Sequence, residues 1–320
     1  MTPAGRPVVV ALGGNAISPL HAEGNIPQQY EASRGTATRL ADLIQAGQRL
    51  LITHGNGPQV GNVLRRVELA AHEVYPLPLD TCVADTQAGM GYMIATCLNN
   101  ELRRRGLRQT AATLITTVEV AADDPAFADP SKPIGRPHPA DQARELQQRY
   151  GWQMAETAPG EFRRVVPSPR PLRIVEEEVI RRLAQAGEVL VVCGGGGIPM
   201  VRGADGMLQG VEAVIDKDLT SALLARIVGA KLLLIATSVE RVALDYGKPT
   251  QRWLDRLTVA EARRHLADGQ FAAGSMRPKI EAAIEFLEHS PPRDARVVIG
   301  SLGQLGELAG GRAGTAIVRA

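Results

Sequence analysis

The chain has 320 residues, 44% hydrophobic and 22% charged, with 36 Lys and Arg against 34 Asp and Glu for a formal net charge of +2. That length allows a sizeable core in one large domain or two modest ones, and the balance excludes a small disulfide scaffold, an extended disordered chain and a multi-span membrane protein. With aromatic residues at only 3%, neither a basic field nor ring platforms are offered to nucleic acid or to a membrane surface, so any anion must be held locally.

The first apolar run, Val8 to Leu12, breaks at Gly13-Gly14-Asn15. It is too short for a signal peptide or a membrane span and reads as a buried strand. A helix is predicted over Pro27 to Ala46, a strand over Arg49 to Thr53, helices over Gln59 to Glu73 and Thr86 to Arg105, and a strand over Ala111 to Val120. Asp123 to Pro171 then breaks the alternation with prolines and polar residues. Carrying Phe127, Tyr150, Trp152 and Phe162, it reads as an inserted subdomain or lid, about 123–170, with its own aromatic minicore. Beyond it come a helix over Pro171 to Ala186, a strand over Glu188 to Cys193, a helix over Asp218 to Val228 and a strand over Lys231 to Ala236. In the first of these helices Ile174, Val175, Val179, Ile180 and Leu183 fall on one face, as packing on a sheet requires. Helices over Thr258 to Ala267 and Pro278 to Glu288 and strands over Arg296 to Ile299 and Thr315 to Val318 complete the chain. Short apolar strands alternating with amphipathic helices indicate an α/β fold around a mainly parallel sheet. Cys82, Cys97 and Cys193 form no CxxC pair, which favours a reducing compartment, the cytoplasm; each sits in an apolar stretch as a small buried residue.

Three strands run straight into glycine: Gly13-Gly14-Asn15, His54-Gly55-Asn56-Gly57-Pro58, and Gly194-Gly195-Gly196-Gly197. A fourth cluster, Gly274-Ser275-Met276-Arg277-Pro278-Lys279, opens a helix. The C-terminal ends of parallel strands share one edge, where open α/β sheets bind ligands, and glycine lets backbone N–H groups approach an oxyanion. One such turn is ordinarily a tight connection, but four of them point to anion binding. Neither Walker nor Rossmann spacing is present. His54 stands among backbone glycines with no partnered acid and reads as a loop-packing hydrogen bonder rather than a general base.

Arginines far outnumber lysines, and the few lysines sit in distinctive places: Lys132 in the insertion, Lys217 between Asp216 and Asp218, Lys279 in the fourth glycine loop. Such isolated point charges suit a phosphoryl group. Asp216 either orients lysines through ion pairs or caps the following helix. Taken alone, Lys132 reads as an exposed charge of the insertion.

These strings resemble carbamate kinase, a branch of the amino acid kinase superfamily. The resemblance rests on residues 9–16, 54–62, 78–83, 131–135, 164–169, 193–199, 210–218, 246–249 and 274–283, and runs essentially end to end. It implies a three-layer αβα sandwich around an eight-stranded, mainly parallel sheet, in one domain over 1–320. An acceptor-binding half would take about 1–210 and a nucleotide-binding half about 211–320. It implies Mg²⁺-dependent reversible phosphoryl transfer, ATP plus carbamate giving ADP and carbamoyl phosphate, usually run toward ATP at the end of arginine breakdown in fermenting bacteria. A homodimer joined through the N-terminal half is implied, with no nucleic-acid or membrane partner.

Carried over residue by residue, the resemblance puts Gly13, Gly14, Asn15, Gly55, Asn56, Gly195 and Gly196 around the acceptor. Lys132 reaches in from the lid, and Lys217 stabilises the transition state with Asp216 as organiser. Lys279, Val239, Tyr246, Ala273, Gly274 and Met276 hold the nucleotide, and no protein metal ligand is assigned. Departures include Ala11, where many superfamily relatives carry a lysine, Arg277 in a slot usually small or apolar, the stretch Ala236 to Arg241 near the adenine, Asp85 and Phe162. The alternatives are a superfamily kinase for another small carboxylate or carbamate, and a non-catalytic nucleotide-binding regulator. Retention of Lys132, Lys217, Lys279 and Asp216 speaks against the regulator, which needs no clamp on a transferring phosphoryl group.

Overall fold

The computed structural model describes residues 5–17 and 24–320, the Asn15 side chain excepted. Its main sheet has eight strands in the spatial order Arg256–Thr258, Thr315–Val318, Arg296–Ser301, Leu232–Thr237, Val8–Leu12, Leu50–His54, Val189–Val191 and Ala111–Thr113. Every neighbouring pair is parallel except Arg296–Ser301 with Thr315–Val318. A central parallel strand is covered on both faces, which explains why Val8–Leu12 is apolar at every position and wholly buried. Its period of two divides the core: Val9 and Ala11 join one cluster with Leu51, Leu190 and Leu233. Val8, Val10 and Leu12 join another with Leu50, Ile52 and Leu234. Each fully buried leucine or isoleucine here contributes about 1.5–3 kcal/mol through burial.

Nine helices lie among the described residues: α1 (Ile26–Gln45), α2 (Gly57–Ala70), α3 (Leu79–Arg104), α4 (Ala140–Tyr150), α5 (Glu177–Ala186), α6 (Lys217–Ile227), α7 (Val259–Ala267), α8 (Met276–His289) and α9 (Leu305–Gly310). Leu40 of α1, Leu98 of α3 and Leu305 of α9 cover one face of the sheet. Ile180 of α5, Leu223 of α6, Ala262 of α7 and Ile284 of α8 cover the other, completing the αβα sandwich. No helix is long and apolar enough to cross a membrane among the described residues.

Three expectations change. The run Ala111 to Val120 is two strands; Thr117–Val120 leaves the main sheet for a four-stranded one with Leu208–Gly210, Ile198–Arg202 and Pro171–Ile174. The expected helix from Pro171 therefore begins only at Glu177, because the Glu176 carboxylate accepts from Thr117 N–H at 2.9 Å and Thr117 Oγ1 at 2.7 Å and fixes the turn before it. Val179 consequently faces outward, 41% exposed. Helix α3 starts at Leu79 rather than Thr86, its first N–H capped by Glu212 Oε1 at 2.7 Å from far along the chain.

The insertion is a unit of its own, a three-stranded sheet in the order Lys132–His138, Glu161–Val166, Met154–Ala158, with α4 beside it. Tyr150 stacks on Trp152 at 5.1 Å and the Arg164 guanidinium lies 4.5 Å from the Trp152 ring centre. Phe127 does not share in that packing as a minicore residue; it lies against the main core. Arg164 also pairs with Glu212 at 2.5 Å, tying the insertion to the body.

Candidate active site

Parallel pairing aligns the ends of the central strands: Leu12 sits opposite His54 on one side and Ala236 on the other, and Ile52 opposite Val191. The glycine loops that follow share one edge as a result. A Cβ on Gly55 would come 3.4 Å from Gly14 N and 3.9 Å from Lys217 Cδ, so two loops and the start of α6 meet there. The third loop interlocks with them. Gly195 and Gly196 have φ of +67° and +97°, and a side chain at the first would collide with the Asn56 amide, at the second with the Ile215 carbonyl. Only glycine serves at either position. Cys193 enters this loop in the left-handed region, with φ 53°.

Backbone donors are fewer than the sequence suggests. Gly13 N–H donates to Ala236 O and Gly55 N–H to Leu12 O, both at 3.0 Å, because sheet bonding continues past the strand ends. Gly196 N–H closes on Cys193 O at 3.1 Å within its own loop. Of the glycine-loop residues assigned to the acceptor, Gly14, Asn56 and Gly195 have N–H groups that no such bond claims among the described residues. The Asn15 side chain lies outside what is described. His54 is 1% exposed, and burial, helped by the Lys217 charge, pushes its pKa down to about 4. The neutral ring donates from Nδ1 to Gly55 O at 3.1 Å, the packing role expected of it.

The cations gather at the N-terminus of α6. Lys217 Nζ lies 2.6 Å from Asp218 Oδ1, and Lys279 Nζ, from α8, 3.2 Å from Asp218 Oδ2. Lys279 also donates to Ser275 O at 3.0 Å. Burial alone would raise the Asp218 pKa, but the two ammonium groups outweigh it and hold the carboxyl down at about 2. Lys132 crosses from the insertion to Asp216 Oδ2 at 3.3 Å and Ile215 O at 3.4 Å. The other Asp216 oxygen caps α6 by accepting from Asp218 N at 2.8 Å. The expected organiser of Lys217 is nevertheless corrected: no ion pair joins Asp216 to Lys217 among the described residues, and Asp218 fills that place. Three lysines against two aspartates leave one net positive charge to meet an incoming anion.

Beside Lys279 a cavity of about 240 Å³ is lined by Val239, Tyr246 and Met276, by Ser238 and Arg241 of the departing stretch, and by Ala243, Gln270 and Phe271, which the sequence did not single out. Ala273 and Gly274 do not line it; the turn before α8 offers Ala272 and Ser275 instead. Arg277 points away, paired with Glu281 at 2.9 Å on the outer face of α8. The three cysteines are free and buried, with no part in the cluster.

The arrangement can grip two adjoining anionic groups, one through backbone N–H and one through ammonium, with a partly apolar cavity alongside. The sequence matches the Amino acid kinase family over residues 6–301. It is 44% identical to the carbamate kinase of Thermococcus kodakarensis over 98% of this chain and 99% of that one. Against the carbamate kinase-like protein YahI of Escherichia coli identity is 49%, over 88% and 90%. The carbamate kinase of Giardia lamblia bound to AMP-PNP superposes with a TM-score of 0.92 at 36% identity, covering 99% of this chain and 100% of that one.

Proposed function

The chain belongs to the amino acid kinase family and, within it, to the carbamate kinases, and we propose from that membership how its own residues carry phosphoryl transfer between carbamoyl phosphate and ADP. Carbamate is an anion at its attacking oxygen, so the reaction needs no general base; the barriers are charge repulsion and alignment. His54, neutral and turned to Gly55 O, fits a site that moves no proton.

The observation that carries the reading is the convergence of Lys217 and Lys279 on the buried Asp218 beside the glycine loops. Asp218 holds the two ammonium groups together against their mutual repulsion, and the transferring phosphoryl group takes up their remaining donors. Lys217, nearest Gly55, serves the phosphoryl group in flight, while Lys279, on the cavity wall, serves the nucleotide phosphates. Lys132, partly exposed on Asp216, closes over the phosphoryl from the insertion. Gly14, Asn56 and Gly195 donate to the carbamate carboxyl group, with Gly13, Gly55 and Gly196 supplying room rather than bonds. The purine lies between Val239, Tyr246 and Met276.

Mg²⁺ is proposed to enter with the nucleotide. Held mainly by phosphate oxygens and water, it asks for one or two hard carboxylate neighbours, and Asp216 and Asp218 are of that kind. When bound, it neutralises charge on the phosphates. We also place the protein in the cytoplasm as a homodimer joined through its N-terminal half, where Tyr92 of α3 and Ile26 of α1 are exposed at 62% and 57%.

The purified protein should form ATP from ADP and carbamoyl phosphate with Mg²⁺ in a coupled assay. Absence of turnover there, with activity toward acetyl phosphate or an acyl phosphate of an amino acid instead, would assign it another acceptor.

A further inference from the structure

Thr86 and Gln87 are consecutive on α3, 5% and 1% exposed, and lie beneath two different glycine loops. Thr86 Oγ1 accepts from Asn56 Nδ2 at 2.9 Å and donates to Cys82 O at 2.9 Å or Val83 O at 3.0 Å. Gln87 Nε2 donates to Gly194 O at 3.1 Å and to Thr116 O at 3.2 Å, and its Oε1 accepts from Thr116 N at 2.5 Å. Thr116, wholly buried, extends the hold to both ends of the same loop, accepting from Cys193 N at 3.1 Å through Oγ1 and from Ile198 N at 3.0 Å through its carbonyl. A side chain on Gly194 would strike His54 and Gln87, so the loop backbone packs directly on both.

We infer that Thr86 and Gln87 are positioning residues that set the spacing between the Gly55-Asn56 loop and the Gly194–Gly197 loop, and through it the geometry of the carbamoyl group. Glycine-rich loops have little of their own to fix them. Here one turn of one helix fixes both, the Thr86 hydroxyl holding Asn56 and the Gln87 amide, its donors and acceptor all used, holding Gly194 and Thr116. Neither side chain reaches the sheet edge, so each acts through Asn56 or Gly194. The inference rests on the reaction assigned above and adds which residues hold its acceptor site in register.

Three variants test it against wild type in ATP formation from ADP and carbamoyl phosphate, with ADP affinity measured separately. Gln87→Met, which keeps the length and loses the bonds, should lower kcat/KM for carbamoyl phosphate by about 100-fold, the scale of a small misplacement of reacting groups. ADP affinity should hold within about twofold, because nothing in this network touches the nucleotide cavity. Thr86→Val, which frees only Asn56, should cost about tenfold by the same mechanism. Gln87→Glu carries a signature of its own. Burial and two facing carbonyls raise the new carboxyl's pKa, and only its protonated form donates to Gly194 O. Activity relative to wild type should therefore be greatest at low pH and fall as pH rises. The titratable groups packed nearby are His54, held neutral, Cys193, whose thiol burial pushes upward, and Glu176, bonded to Thr117. The His54 and Cys193 shifts keep both uncharged between about pH 6 and 9.

Wild-type kcat/KM in Gln87→Met, a pH-independent ratio for Gln87→Glu, or loss of ADP binding together with activity would each overturn the inference, the last by revealing a purely structural role. Wild-type protein that forms no ATP overturns the assigned reaction and this role with it, and so is told apart from a failure of the variants alone.

Discussion

On the proposed acceptor side of the transfer site the groups assigned to the work are main-chain N–H at Gly14, Asn56 and Gly195, set by sheet register and by buried side chains below. On the nucleotide side they are the long side chains of Lys217, Lys279 and Lys132, fixed by two aspartates at one helix start. The first side is specified by where the backbone runs and by the absence of side chains at Gly195 and Gly196. The second is specified by charge, and its members are partly open: Lys132 is 29% exposed against 13% for Lys217. A small planar acid offers little to grip but its carboxyl oxygens, which suits close backbone. A phosphoryl group bears charge that grows and moves, which suits mobile ammonium groups with an anion to hold them in reserve.

That contrast is broken most sharply by Lys217→Ala. Losing one electrostatic stabiliser should lower kcat by at least about 100-fold, while the glycine loops still bind carbamoyl phosphate; a near-normal kcat would mean the lysine does not serve the phosphoryl group. Asp218→Asn comes next, since it misplaces two ammonium groups without removing either, and should cost on the order of tenfold to a hundredfold in kcat. It also changes acid stability. With its folded pKa held at about 2, below the ordinary aspartate value of 3.8, Asp218 contributes stability that is present above about pH 4 and lost as pH falls toward 2. Acid unfolding followed by circular dichroism should lose that component in Asp218→Asn; identical acid profiles would show the carboxyl is not held low. Lys132→Met should have the smallest effect, roughly tenfold or about 1.4 kcal/mol in kcat, because this lysine must leave Asp216 and is the most solvent-screened of the three. A larger loss than for Lys217→Ala, read in the same kcat measurement, would reverse the ranking.

Features that depend on neighbours along the chain are legible in the residues themselves. Val8–Leu12 announces a central strand by its unbroken apolar run, and the glycine clusters announce their edge because each of the first three follows a strand directly. What escapes such a reading depends on residues far apart. Two aspartates flank Lys217, and only the orientation of the first turn of α6 decides that Asp218 turns inward to two lysines while Asp216 caps the helix and meets Lys132. Gly13 and Gly55 read as free donors, yet the parallel register spends both. Pro171–Ile174 reads as helical by its apolar spacing, but pairing with Thr117–Val120 overrides that preference. Ala273 and Gly274 read as nucleotide contacts beside Met276, whereas the turn before α8 presents Ala272 and Ser275 to the cavity.

The central claim is a division of labour, with backbone for the carboxyl group and lysine for the phosphoryl group. A crystal structure with Mg²⁺, ADP, carbamate and tetrafluoroaluminate in place of the transferring phosphoryl tests it directly. The ammonium groups of Lys217, Lys279 and Lys132 should then contact the fluoride or nucleotide oxygens, with the Gly14, Asn56 and Gly195 N–H groups on the carbamate oxygens. Fluoroaluminate held by the glycine loops, with Lys217 still bound only to Asp218, would contradict it.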